Sequence, residues 1–170
     1  MTITIGQALP SGTLYESTGF DAENGCPLPP QTVEISTLTA NKKVIIFAVP
    51  GAFTPLCSAQ HLPGYIAHAQ ALKAAGVDEI ICLAVNDAFV MAAWGQQQQA
   101  QPHIRMLADG SGHYMKALGL QRDLSNNGMG IRSYRFAMIV TNGIVEYFGK
   151  EGSGEFGVSK ADTLLATLTA

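Results

Sequence analysis

Two runs of consecutive apolar residues organise the chain. In residues 43–49, Lys43 is followed by six apolar positions, and in residues 79–85, Glu79 is followed by six more. Continuous runs of this length, rich in β-branched side chains and closed by turn residues, predict strands buried on both faces. Pro50 and Gly51 stop the first run by removing a ladder donor and loosening the backbone. Between the runs, residues 59–75 read as a helix bent at Pro63 and Gly64 and closed by Gly76. Strand, helix and strand in this order make a βαβ unit, which pairs in parallel and closes right-handed.

Downstream, Asn86 and Asp87 are placed to cap a helix running to about Gln98. The glutamines at 96–99 are a solvated helix end. Residues 104–107 read as a short strand, 109–112 as a turn, 114–118 as a helix and 121–130 as a loop. Asn142-Gly143, between apolar segments 134–140 and 144–148, is a hairpin signal because both residues tolerate positive φ. Ser159 with Asp162 reads as a capping box before a closing helix that ends near Leu168. Upstream, residues 12–17 and 32–35 read as a hairpin appended to the core, joined by a Gly-, Asn- and Pro-rich loop carrying Cys26. A βαβ unit, a hairpin and a terminal helix give an α/β chain in thioredoxin-fold order, with an N-terminal β-hairpin extension and an inserted helix and strand.

With 170 residues, 47% of them hydrophobic, and no break in composition, one domain over residues 1–170 is expected. The formal net charge of −3 offers no basic field for a phosphate backbone, so nucleic acid is not an expected partner. No apolar run approaches the ~18 to 20 residues of a membrane span, and no basic-then-apolar leader is present, which points to a cytoplasmic protein without a membrane partner. Cys26, Cys57 and Cys82 form no CxxC pair and are expected to rest as reduced thiols. They and His61, His68, His103 and His113 do not assemble a zinc-site spacing, so neither metal nor cofactor is expected.

The chemistry concentrates just past the first strand. Thr54 falls at or near a helix N-cap with Pro55 close to the first helical position, so free N–H groups and the positive end of the helix dipole converge near Cys57. Such a location, or a neighbouring cation, brings a thiol from its ordinary value of about 8.5 to roughly 3.5 to 7.5. Cys57 is expected as a thiolate rather than as the small buried hydrophobe that a free cysteine often is. His61, four residues on, would share a helix face with Cys57, and this spacing also fits a Cys-His hydrolase or acyl transferase. No third group that would orient the histidine is evident, and local packing at the bend is the simpler role.

The segment from Pro50 through Thr54 and Cys57, continuing Ser58, Ala59, Gln60, His61, Leu62, Pro63, Gly64, Tyr65, resembles the active-site segment of the type II (atypical, peroxiredoxin-5-like) peroxiredoxins. Residues 77–94 (VDEIICLAVNDAFVMAAW), 109–120 (DGSGHYMKALGL) and 128–136 (GMGIRSYRF) are similar to the same family, closest to its plant and bacterial branch that uses glutaredoxin or thioredoxin. The resemblance covers nearly the whole chain. It implies a thiol peroxidase for hydrogen peroxide and organic hydroperoxides, in which the Cys57 thiolate attacks the O–O bond and becomes a sulfenic acid. A low thiol pKa also lowers nucleophilicity, so oxygen-directed donors are needed as well. By resemblance these are the Thr54 hydroxyl, backbone N–H groups near Leu56 and Cys57, and the guanidinium of Arg135, with Arg132 the nearby rival. Pro50 would shield the thiol from water and stray reductants.

How the sulfenic acid is reset stays open at the level of sequence. The loop 152–158 lacks the second cysteine that the animal branch carries there. Cys82 stands where the plant-like branch places a resolving thiol, yet it is also in the middle of a buried strand, as a plain core thiol would be. Bonding to Cys57 would need the two Cα atoms within about 7 Å. If Cys82 is inert, glutathione with glutaredoxin, or thioredoxin, must supply the thiol, and Cys26 is incidental. Family resemblance also implies a homodimer, for which Phe53, Phe89, Trp94 and Phe136 are candidate contacts, with core packing the alternative for each. A peroxide sensor that is oxidised without turnover, and a purely structural thioredoxin-fold module, are the readings from other classes.

Overall fold

In the computed structural model, which describes all 170 residues, the chain runs β1 (Thr13–Glu16), β2 (Phe20–Asp21), β3 (Cys26–Pro27), β4 (Gln31–Glu34), α1 (Ile35–Thr39) and β5 (Lys43–Ala48). A π-helical turn (Cys57–His61) leads into α2 (Leu62–Ala74), then β6 (Glu79–Ala84), α3 (Ala88–Gln97), β7 (Arg105–Ala108), α4 (His113–Leu118) and β8 (Gln121–Asp123). A 3-10 turn (Ser125–Asn127) precedes β9 (Ile131–Ser133), β10 (Phe136–Thr141), β11 (Ile144–Lys150) and α5 (Ala161–Thr169). Seven strands form one sheet in the order β11-β10-β5-β6-β7-β1-β4. β5, β6 and β7 are parallel, and the outer strands pair antiparallel. This is the thioredoxin-like α/β fold expected from the order of the elements.

The apolar runs are continuous because the sheet is covered on both faces. Along β5, Ile45 and Phe47 enter one core with α2, α3 and α5, while Val44, Ile46 and Ala48 enter the other with α1 and α4. The same period of two sends Ile80, Cys82 and Ala84 of β6 to the first core and Ile81 and Leu83 to the second. Cys57 is also in the first core, so parity puts Cys82 on the thiol's side of the sheet.

The N-terminal hairpin pairs Thr13 to Glu34 through Glu16 to Gln31, as expected, but it is not an appendage. Only Tyr15 and Ala108 register between β1 and β7, yet Leu14 is fully buried in the second core. Arg105 completes the join. Its Nε and Nη2 donate to the two carboxylate oxygens of Glu16 at 3.0 and 2.6 Å, and its Nη1 donates to Glu79 at 2.5 Å. Lys42 also pairs with Glu79. Such a tertiary ion cluster, joining residues up to 89 apart in sequence, leaves no local pattern.

Two further differences concern local chemistry. The segment read as a loop over 121–130 opens with β8, which pairs with β9 as a short ribbon. Ser159 does not cap α5; Lys160 holds the N-cap position without a side-chain bond, and the Ser159 hydroxyl donates to Glu151 at 2.8 Å. Elsewhere the local signals hold. Asp87 accepts from the Val90 N–H at 2.9 Å, and Asn142 (φ +48°) and Gly143 (φ +80°) turn the hairpin. Pro63 does not break the helix. The turn before it widens to the π register, with the Leu62 N–H bonded to the Cys57 carbonyl, which relieves the clash a proline ring makes with the carbonyl four residues earlier.

Candidate active site

β5 ends at Ala48, and β10 begins at Phe136, which pairs with Ala48 across the antiparallel ladder. Whatever follows β5 therefore lies beside whatever precedes β10. The first carries Pro50, Thr54 and Cys57, the second Arg135, and a separation of 78 positions between Cys57 and Arg135 closes to one hydrogen bond. Arg135 Nη2 donates to the Cys57 sulfur at 3.3 Å. Its other arm, Nη1, lies 2.9 Å from His61 Nδ1. The planar fork thus spans the two side chains that the spacing of four placed on one face.

His61 is 1% exposed, and its Nε2 lies 3.0 Å from the Ser159 carbonyl oxygen. A carbonyl can only accept, so Nε2 carries the proton and Nδ1 accepts from the guanidinium. Burial, with Arg135 adding to it, lowers the His61 pKa from 6.5 to about 3. The imidazole is neutral and spoken for at both nitrogens. Its Nδ1 faces an arginine and its Nε2 a carbonyl, so the Cys-His general-base pairing does not form.

The turn between β5 and the thiol is held under strain. Phe53 takes φ +63°, a left-handed conformation costly for a bulky side chain, by about 1 to 3 kcal/mol. The Ala52 N–H donates to Asn86 Oδ1 at 2.9 Å, and the Thr54 hydroxyl donates to the Gly51 carbonyl at 2.7 Å. Thr54 thus occupies the N-cap position, with Pro55 first in the helix, but its side chain turns back to tighten the Pro50-Gly51 turn rather than capping. The Cys57 N–H has no backbone acceptor. Ser58, next to the thiol, accepts from the Trp94 indole N–H at 3.1 Å.

Pro50 lines a cavity of about 310 Å³ with Leu56, Arg122, Tyr134, Arg135 and Glu151. Cys57 itself is fully buried. Arg132 makes no hydrogen bond to the sulfur. Its Nε donates to the Met129 carbonyl at 2.8 Å, and its Nη1 stands 3.0 Å from where a Cβ on Gly51 would be, so a larger residue there would press on it. Cys82 is fully buried, and burial pushes its thiol pKa well above the ordinary value. Cys26 is exposed, and all three cysteines are free. Trp94 and Phe136 belong to the core, whereas Phe53 and Phe89 are 51% and 47% exposed.

A family model described as Redoxin matches residues 4–165. Peroxiredoxin-2D of Arabidopsis thaliana is 48% identical over 166 residues, covering 98% of each chain. The chain is a peroxiredoxin. Among solved structures, reduced Prx3 of Vibrio vulnificus in complex with hydrogen peroxide is 49% identical, with a TM-score of 0.89 over 98% of this chain and 99% of that one. A Burkholderia cenocepacia protein described as a putative thioredoxin reductase is 51% identical, with a TM-score of 0.92 over the whole of both chains. The peroxiredoxin is a thiol peroxidase of the type II group, which sets aside the sensor and structural-module readings.

The asparagine, glutamate and serine that brace this peroxiredoxin's site were not marked as functional by the sequence. From the sequence, Asn86 reads only as a helix cap, and Ser159 as pairing with Asp162 in a capping box. Glu151 follows a strand with no motif around it. The exposed, glycine-rich stretch 152–157 after Glu151 was the available sign that the chain there needs an anchor.

Proposed function

We propose that Cys57 is the peroxidatic thiolate of this peroxiredoxin, with Arg135 and Thr54 as its partners in the transition state and Pro50 as its shield. The observation that carries the assignment is the 3.3 Å contact from Arg135 Nη2 to the Cys57 sulfur. The thiolate attacks one peroxide oxygen, a sulfur–oxygen bond forms as the O–O bond breaks, and the alkoxide or hydroxide leaves and takes up a proton. Charge builds on both oxygens as this happens, and fixed donors aimed there lower the barrier. Arg135 supplies a permanent charge, the Cys57 N–H a second donor, and the Thr54 hydroxyl a third once it rotates from its bond to the Gly51 carbonyl toward the peroxide. That a similar protein binds hydrogen peroxide in its reduced state supports the substrate.

An external thiol, glutathione with glutaredoxin or else thioredoxin, attacks the sulfenic acid, releases water and leaves a mixed disulfide. The burial of Cys82 and the raised pKa of its thiol favour this route over internal resolution. Cys82 as the resolving thiol is the second reading, supported by its place with Cys57 in one apolar cluster. The 170 residues act as one domain in the cytoplasm, and no helix is long and apolar enough to cross a membrane. Exposed Phe53 and Phe89 are the contacts of a homodimer.

The test is the intact mass of the reduced protein after one equivalent of hydrogen peroxide, beside Cys57→Ser and Cys82→Ser. A gain of one oxygen that needs only Cys57 establishes the external route. A loss of two hydrogens that needs both cysteines establishes Cys82 as the resolving thiol. Peroxide turnover retained in Cys57→Ser overturns the assignment.

A further inference from the structure

We propose that Glu151 and Ser159 are positioning residues, which set the tautomer of His61 and thereby hold Arg135 against Cys57. The inference rests on the proposed Cys57–Arg135 pair and adds what keeps that pair in register.

Glu151 follows β11, and its backbone N–H donates to the Arg135 carbonyl at 2.9 Å. One oxygen of its carboxylate, Oε1, accepts three bonds, from the Gly157 N–H at 2.7 Å and from the Ser159 N–H and hydroxyl at 2.8 Å each. Glu151 is 6% exposed, and a buried charge is tolerated when it is hydrogen-bonded in this way. These bonds fold residues 151–159 back as a strap, although Gly152, Gly154 and Gly157 give it little stiffness of its own.

The strap delivers the Ser159 carbonyl into the core, where it meets His61 Nε2 at 3.0 Å and the Tyr65 hydroxyl at 2.9 Å. Without that acceptor, only Arg135 itself opposes a proton on Nδ1, and a mobile guanidinium can move away instead. An N–H there would point at a guanidinium N–H, and the fork would be pushed off. Phe156 in the same strap packs edge-on to His61, with ring centroids 5.1 Å apart, and lies 5.7 Å from the Arg135 guanidinium carbon. Two independent contacts from one strap thus bear on one arginine.

The experiment has two parts. In reduced protein labelled with ¹⁵N-histidine, imidazole nitrogen shifts should report His61 as the Nε2–H tautomer; an Nδ1–H tautomer overturns the proposal without any variant. The second-order rate constant with hydrogen peroxide is then measured for Glu151→Ala, Glu151→Gln, Ser159→Ala, Arg135→Ala and the Glu151→Ala/Arg135→Ala pair. Misplacing a reacting group by about 1 Å costs on the order of a hundredfold, so Glu151→Ala should lose about tenfold to a hundredfold. Glu151→Gln, which keeps an acceptor oxygen, should recover most of this, and Glu151→Ala should add nothing in the Arg135→Ala background. A folded Glu151→Ala with the wild-type rate, or an equal fold-loss in both backgrounds, refutes the positioning role. If Glu151→Ala does not fold, Ser159→Ala decides: it removes one of the three bonds to Glu151 Oε1 and should also slow the reaction, and a wild-type tautomer and rate there overturn the proposal. Arg135→Ala reacting like wild type would instead refute the Cys57–Arg135 reading itself.

Discussion

Acid should destabilise this peroxiredoxin through one buried imidazole. His61 has a pKa of about 3 in the folded protein, chiefly from burial and then from Arg135, against an ordinary value of 6.5 in the unfolded chain. Between those two values the unfolded chain holds a proton that the folded one does not, so lowering the pH favours unfolding. The contribution is full above about pH 6.5 and shrinks by about 1.4 kcal/mol per unit towards pH 3. From about pH 6.5 to pH 5, His61 alone should remove about 2 kcal/mol, a large share of the 5 to 15 kcal/mol typical of a folded protein. Protonation would place a second positive charge 2.9 Å from the guanidinium, which is why neither partner can yield. Urea unfolding, followed by the fluorescence of the single, fully buried Trp94, measures the effect at about pH 7, 6 and 5 in wild type and His61→Gln. Glutamine keeps a polar group near the Ser159 carbonyl without titrating. Groups elsewhere in the chain are common to both proteins and cancel in the comparison. If the variant loses as much stability as wild type over this range, the account of His61 is wrong.

Three more outcomes follow from the same geometry. Arg135→Ala should lower the rate constant for peroxide by about a hundredfold to a thousandfold, as loss of one aimed donor does, in stopped-flow with reduced protein. Trp94→Leu removes the indole donor to Ser58 together with packing in the first core, and should cost about 2 to 5 kcal/mol in urea unfolding followed by circular dichroism. Gly149→Ala would put a Cβ 2.6 Å from the Val158 carbonyl oxygen, forcing the strap away from β11; a loss of about 1 to 3 kcal/mol is expected, and an unchanged melting temperature would count against the close approach.

The sequence was most readable where one residue type has one physical job. The apolar runs of β5 and β6, the Asp87 cap and the Asn142-Gly143 turn follow from periodicity and φ preference, and each appears as read. Thr54, Cys57 and Arg135 were legible as a set only through resemblance, since no spacing rule brings residue 135 to residue 57. Where one pattern admits two partners, the sequence alone does not choose between them. Ser159 fits a cap, but a buried carboxylate eight residues back competes for the same hydroxyl and wins because its charge must be satisfied. The spacing of Cys57 and His61 correctly implied a shared face, while the group they share comes from another strand. The hairpin reads as an appendage in the sequence because its tie to the sheet is an arginine binding two distant glutamates.

The antiparallel ladder between β5 and β10 gives the two halves of the proposed Cys57–Arg135 pair different mechanical characters. Arg135 is anchored to the frame: β10 is registered over six positions with β5 on one side and with β11 on the other. Cys57 is carried on a latch, a π turn that follows a strained Phe53. A latch can release and re-engage while the frame keeps its shape, because segments with fewer interlocking bonds open at lower cost than the sheet. On the proposed assignment, the oxidised sulfur can swing out to meet an incoming thiol while the sheet keeps Arg135 in place for its return.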